Sequence, residues 1–234
     1  MGSSSAASQP SLSDTESYKR AAAEAAAALV HDRSRVGLGT GSTVAYLLPA
    51  LAARGLRLRC VATSPATEMA ARDLGLTVED LDEVGRLDIA IDGADQIDPS
   101  GWLIKGGGAA HTREKIVACA AERFVVIASA EKVVSTLKPP VPLEIMRFGA
   151  RATLACLEDA ALREVPPSPD GNLIADYTGP ISDARSLAER LSCTPGVVEH
   201  GLFAPELVSD ILIAGPAGVE HRELDDRGQR PHDS

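Results

Sequence analysis

The strongest constraint on this chain is a repeating order: a short apolar run, then glycine or polar residues, then a stretch that suits a helix. Val36–Leu38 runs into Gly39-Thr40-Gly41-Ser42-Thr43, and Arg57–Ala62 runs into Thr63-Ser64. Leu87–Ile91 ends at Asp92-Gly93-Ala94-Asp95, and Phe124–Ala128 ends at a turn carrying Lys132. Helices are predicted over 14–29, 44–53, 66–74 and 109–122, and Thr77-Val78 reads as a short edge strand. Strands alternating with helices in this way imply an α/β architecture, a Rossmann-like doubly wound parallel sheet. In such sheets ligands bind outside the carboxyl ends of the strands. The polar clusters all follow strands, so the fold itself gathers them.

The order changes at Pro139-Pro140. Val141–Phe148 reads as a strand, 150–162 as a helix and Leu173–Asp176 as a strand. A helix over 182–191 and a strand over 197–203 follow. Such short alternating pieces suggest a second, smaller α+β domain, ferredoxin-like. Ile211–Ala214 is one more apolar strand that can rejoin the first sheet. The expected division is therefore residues 14–138 plus 206–220 for the Rossmann-like domain and 139–205 for the small one. Residues 1–13 and 221–234, both polar, read as flexible tails.

Composition narrows the function. Aromatic residues make up 3% of the chain and the net charge is −10. Both argue against a nucleic-acid partner, since single strands need stacking platforms and duplexes need cations. The charge also argues against an anionic membrane surface, and no apolar run reaches the roughly 20 residues of a membrane span. Cys60, Cys119, Cys156 and Cys193 form no CxxC pair, which argues against a zinc knuckle or a thioredoxin-like motif. They read as buried free thiols in a reducing compartment, the cytoplasm. A small anionic ligand remains open, because a local nest of backbone N–H groups can outweigh a global field.

The candidate site residues lie in the clusters. The turn Thr40-Gly41-Ser42-Thr43 presents backbone N–H groups and hydroxyls at a helix start, which suits a phosphate; alternatively it is a tight capping turn. The glycines fit a dinucleotide fingerprint poorly, since Ser42 stands where the third glycine belongs. Asp92 and Asp95, around Gly93 and Ala94, can bind sugar hydroxyls, manage a proton, or cap the turn. Asp98-Pro99-Ser100-Gly101 reads as an ordinary turn, and no third carboxylate completes a metal cluster. Lys105-Gly106-Gly107-Gly108 is costly in chain entropy, so its backbone is expected to press against a ligand. Lys105 there offers positive charge to a developing oxyanion; alternatively it is a surface lysine before a flexible loop. Glu114 alone reads as a solvated helix acid, and His111 as either an acid–base group or incidental. Lys19 and Lys132 are possible phosphate partners.

Together the motifs GLGTGST (37–43), DGAD (92–95), KGGGAA (105–110), REKIV (113–117) and PGVVEHGLF (195–203) resemble ribose-5-phosphate isomerase of the A type. The resemblance runs from about residue 19 to 219. It implies interconversion of D-ribose 5-phosphate and D-ribulose 5-phosphate through a cis-enediolate, in the non-oxidative pentose phosphate pathway, without cofactor or metal. It also implies a homodimer or homotetramer whose partner molecule is a small sugar phosphate. Glu114 would be the catalytic base, Asp92 and Asp95 would contact the sugar and assist ring opening, and Lys105 would stabilise the intermediate. Thr40 to Thr43, the glycine run and Lys132 would bind substrate. Gln96 stands where the family usually has Glu, and His111 where other residues are common. The 151–170 connection is a few residues short. Rival readings are a sugar-phosphate-sensing regulator domain, for which the segment before Asp14 leaves too little room for a DNA-binding helix pair, and a sugar-phosphate deaminase or CoA-transferase relative, which REK and KGGG fit less well.

Overall fold

The structure is a computed structural model that describes residues 11–224. In chain order its elements are α1 (Leu12–Ala28), β1 (Arg35–Leu38), α2 (Val44–Ala52), β2 (Arg59–Ala62), α3 (Pro65–Asp73), α4 (Leu81–Val84), β3 (Leu87–Gly93), β4 (Gln96–Ile97) and β5 (Leu103–Ile104). There follow α5 (His111–Ala120), β6 (Ala121–Ser129), β7 (Val141–Ile145), α6 (Ala150–Leu157), β8 (Ala160–Leu162) and β9 (Leu173–Tyr177). The chain closes with α7 (Ala184–Ser192), β10 (Val197–His200), β11 (Leu202–Phe203), β12 (Asp210–Gly215) and β13 (Gly218–Glu223).

The main sheet runs β13-β12-β6-β3-β1-β2. Its pairs are parallel except β12–β13. The strands alternate between two cores, as a period of two requires. Ile89, Ile91, Val125, Ile127 and Leu212 pack under α1 and α2. Ala90, Phe124, Val126, Ala128, Ile211 and Ile213 face α4 and α5 on the opposite side. Burial on both faces explains why these strands read as continuous apolar runs. After β1 the chain first adds β2 on one side, then crosses back to place β3 on the other. The order therefore reverses between β1 and β3, whose ends carry Gly39 and Asp92.

The second unit is a β7-α6-β8-β9-α7-β10 sequence in the antiparallel order β10-β7-β9-β8, which is ferredoxin-like. A core including Leu143, Ile145, Leu157, Leu187 and Leu191 fills it. A third, three-stranded sheet, β11-β5-β4, joins the two units. It is what carries Lys105, the residue directly after β5.

Several boundaries differ from the sequence reading. Ser11 caps α1 by accepting from the Asp14 N–H, so residues 11–13 belong to the helix start rather than a tail. Residues 1–10 and 225–234, the rest of both expected tails, lie outside the described residues. The expected helix over 150–162 ends at Leu157, where Glu158 takes φ 58°, and 160–162 forms β8. The strand expected over 197–203 splits at Gly201: β10 pairs with β7 and β11 with β5. β13 replaces the expected start of the polar tail, because the unpaired edge of β12 can take one more antiparallel strand. Of the cysteines only Cys60 is buried; Cys119, Cys156 and Cys193 are exposed and free.

Candidate active site

A cavity of about 210 Å³ opens at the β1/β3 switch point. Its walls are Thr40 to Thr43, Gly93 to Asp95, Lys105 to Gly108, Glu114 and Lys132. Of the candidates singled out above, Asp92, His111 and Lys19 do not line it; Asp92 lies next to it, paired with Lys105. Lys19 pairs with Glu16 on α1 at 2.7 Å.

The phosphate-type wall is the turn after β1. Asp92 accepts the Thr40 N–H at 3.1 Å and that of Gly93 at 2.7 Å, tying the ends of β1 and β3 together. Gly39 permits this approach, since a Cβ there would lie 1.9 Å from Asp92 Oδ1. Among the described residues, no protein group accepts from the N–H groups of Gly41, Ser42 or Thr43. These donors, at the start of α2, are free for an anion. Thr40 is held from behind by Thr63, 2.8 Å between hydroxyls. Lys132 enters from the 3₁₀ turn after β6.

The floor is a buried charge triad. Lys105 Nζ lies 2.8 Å from Asp92 Oδ2 and 3.1 Å from Glu114 Oε2, and all three side chains are at most 4% exposed. The ammonium donates to the Gly93 carbonyl at 2.5 Å and sits 5.4 Å from the centre of the Phe203 ring. Both contacts are at the length of charge-assisted hydrogen bonds, and Lys105 is the cation shared by the two carboxylates. Burial pushes the Glu114 carboxyl up to about 8, with the Asp92 charge adding and the Lys105 charge opposing. Burial also raises Asp92 against the pull of Lys105. Burial alone would lower Lys105, but the two carboxylates outweigh it and hold the ammonium above its ordinary value. The reading of Glu114 as a solvated helix acid therefore fails: α5 turns it inward.

The glycine run forms the opposite wall. Gly106 takes φ +104°, a conformation L side chains rarely adopt, and His111 fills the space where its Cβ would stand. Gly107 N–H donates to Asp95 Oδ2 at 2.9 Å. His111 itself is fully buried behind the loop, and burial pushes it down to about 4. It does not line the cavity. Gln96 is also outside it, exchanging two hydrogen bonds with the Lys138 backbone at 2.7 and 2.8 Å. The residues around Glu114 anchor α5 to the small unit: Arg113 pairs with Asp170 at 2.7 Å, and Lys115 with Glu199 at 2.7 Å. Thr112, Ser168 and Asn172 all donate to the buried Glu144 carboxylate.

The sequence reading missed Arg163, whose guanidinium reaches the Gly106 and Gly107 carbonyls from the small unit. It also missed Phe203 under Lys105. One carboxylate–histidine cluster does form, contrary to the expectation of none: Asp210, His221 and Glu223 at the β12–β13 edge. Arg123 already takes both Asp210 oxygens, at 2.6 and 2.7 Å, and His221 Nε2 lies 2.7 Å from Oδ1. This is an ion-pair network on the far side of the sheet.

Comparison with known proteins places this geometry. Residues 59–218 match the family model of ribose 5-phosphate isomerase A, also described as phosphoriboisomerase A. The chain belongs to that family. It is 46% identical over 220 residues to the ribose-5-phosphate isomerase A of Caulobacter vibrioides, covering 87% of this chain and 96% of that one. The crystal structure of the Neisseria gonorrhoeae ribose 5-phosphate isomerase A superposes with a TM-score of 0.86 at 32% identity, covering 91% and 98% of the two chains. A D-ribose-5-phosphate isomerase in complex with phospho-erythronic acid superposes at 0.85 with 35% identity, covering 89% and 99%. Among the described residues no helix is long and apolar enough to cross a membrane.

Proposed function

We propose that this cavity interconverts D-ribose 5-phosphate and D-ribulose 5-phosphate, with Glu114 as the proton shuttle. Membership of the family gives the reaction class, an aldose–ketose isomerisation of the pentose phosphate pathway. The observation that carries the assignment of roles is the buried triad, in which one cation stands between two carboxylates at the cavity floor. The similar isomerase that binds phospho-erythronic acid supports it, because a planar carboxylate on a phosphorylated four-carbon chain has the shape and charge of an enediolate.

The phosphate lies against the free N–H groups of Gly41, Ser42 and Thr43 and the charge of Lys132, giving remote binding energy that positions the sugar. Asp95 holds hydroxyls and assists ring opening. The Glu114 carboxylate takes the proton from C2, and the electron pair moves to the C1 carbonyl to give the cis-enediolate. Lys105 and the glycine N–H groups stabilise the negative oxygen. A proton passes between the two enediolate oxygens, Glu114 returns its own proton to C1, and the ketose forms. A carboxylate with a raised pKa is a stronger base, and its value near the working pH suits that task. Asp92 keeps Lys105 charged and in place. No step needs a metal or a cofactor.

The same reading carries the division at residues 138–139 and 205–206, assembly as a homodimer or homotetramer, and a cytoplasmic location. The three exposed free thiols support a reducing compartment. Light scattering gives the assembly mass. The reaction itself is tested by incubating pure protein with ribose 5-phosphate and following ribulose 5-phosphate with and without EDTA. Product is expected in both arms. No product refutes the function, and loss with EDTA reversed by Mg²⁺ or Zn²⁺ refutes the metal-free mechanism.

A further inference from the structure

Arg163 follows the three-residue strand β8 in the small unit, yet its side chain ends at the glycine wall of the cavity. Four of its five N–H donors are engaged. Nε donates to Asp176 Oδ2 at 2.9 Å and Nη2 to Asp176 Oδ1. Nη1 donates to the carbonyls of Gly106 and Gly107, both at 3.3 Å. The side chain is 19% exposed, and the paired Asp176 holds it above its ordinary pKa, so it stays charged.

The consequence follows from peptide planarity. In a trans peptide the N–H points opposite to the C=O. The 106–107 peptide is gripped on both sides: its carbonyl accepts from Arg163 and from the Ala109 N–H that closes the turn, and its N–H donates to Asp95. The 107–108 peptide is gripped only through its carbonyl. Its N–H, that of Gly108, has no protein partner among the described residues, and Gly108 lines the cavity. Three successive glycines cannot hold such an orientation through their own side chains. A fixed cation on the carbonyl both sets the plane and polarises the N–H.

We propose that Arg163 is a positioning residue for the isomerisation. From the small unit it orients the Gly107–Gly108 peptide so that the Gly108 N–H donates to the substrate oxygen that becomes anionic. This rests on the reading that the glycine wall faces the reacting carbons. Lysine cannot replace it, because one ammonium cannot hold Asp176 in a bidentate pair and reach two carbonyls as well.

The test is steady-state kinetics of Arg163→Ala and Arg163→Lys beside Glu114→Gln, with circular dichroism to establish folding. Loss of a full oxyanion donor costs about 10²–10³-fold, so misaiming one should lower kcat about 10- to 100-fold in Arg163→Ala. KM should stay within about threefold, since the phosphate turn is untouched. Arg163→Lys should remain several-fold slow. Millimolar guanidinium chloride should restore part of the rate to Arg163→Ala but not to Arg163→Lys. Wild-type kcat in either variant overturns the proposal, as does a slow Arg163→Ala that guanidinium leaves unchanged. If Arg163→Ala does not fold, Arg163→Lys alone decides. If Glu114→Gln is inactive while the Arg163 variants are normal, only this inference falls; if Glu114→Gln is also normal, the reading of the site falls with it.

Discussion

Replacing Lys105 with methionine should move the pH dependence of the enzyme as well as slow it. The substitution keeps the buried stem and removes the only charge between Asp92 and Glu114, at 2.8 and 3.1 Å from their oxygens. An opposite charge this close typically depresses a carboxylate pKa by about 1–3 units, so its loss should lift Glu114 from about 8 to 9 or beyond. At pH 7.5 the ionised fraction then drops from roughly a quarter to roughly 3% or less, about a tenfold loss from titration alone. Losing the cation that meets the enediolate oxygen adds about 10²–10³-fold. The rate at pH 7.5 should fall by three orders of magnitude or more, and kcat/KM should climb about tenfold per pH unit through pH 9. The apparent values belong to the triad and not to one group. Stability should behave in the same sense. A carboxyl with a raised folded pKa favours the fold at low pH and loses that contribution as pH rises, so Lys105→Met should denature more easily at pH 9 than at pH 6. Breaking a buried ion pair costs about 3–5 kcal/mol at the ionised end. Rate profiles from pH 6 to 10, with urea melts at both ends, measure all of this. A Lys105→Met profile whose acid limb coincides with that of wild type would refute the coupling of Lys105 to Glu114.

Two further substitutions probe the scaffold. His111, held neutral by burial to about 4, stays unprotonated in the fold while the unfolded chain takes a proton below about 6.5. Stability should therefore fall as pH drops, by about 3 kcal/mol from this group by pH 4; His111→Leu should remove that share, and urea melts at pH 7 and 4.5 that fall equally in both proteins would contradict it. Gly39→Ala puts a Cβ 1.9 Å from Asp92 Oδ1, so Asp92 must leave its place under Lys105. An overpacking cost of about 1–3 kcal/mol and at least a tenfold loss of kcat are expected, read by thermal melts and kinetics; an active, equally stable Gly39→Ala would show that Asp92 does not position the lysine.

The strand–turn–helix rhythm made the main sheet legible, because parallel strands buried on both faces leave uninterrupted apolar runs such as Leu87–Ile91. The same topology explains why residues as distant as Thr40, Asp95 and Lys132 could be grouped from the sequence: the carboxyl ends of parallel strands lie at one edge of the sheet. What stayed hidden follows from the lack of local pattern. Strands β4, β5, β8 and β11 are two or three residues long, too short for periodicity to register. Glu114 stands between two charged residues in sequence, Arg113 and Lys115, and only the packing of α5 on the sheet turns it inward. Arg163 had no signal at all, since its partner carbonyls lie more than fifty residues away and any surface arginine after a short strand looks the same. The second half of β13 reads as the start of a tail because His221, Arg222 and Glu223 are as polar as the segment beyond them.

The central claim is that one carboxylate moves the proton, and isotope wash-out tests it most directly. Ribose 5-phosphate tritiated at C2 is incubated with wild type and with Glu114→Gln, and tritium released to water is counted alongside ribulose 5-phosphate formed. Glutamine keeps the shape and reach of the side chain but cannot accept the proton, and loss of a general base costs roughly 10²–10⁴-fold. Wild type should release tritium, while Glu114→Gln should bind the sugar phosphate with similar affinity yet lose both exchange and turnover. Tritium release by Glu114→Gln at a rate near that of wild type would remove Glu114 from the mechanism.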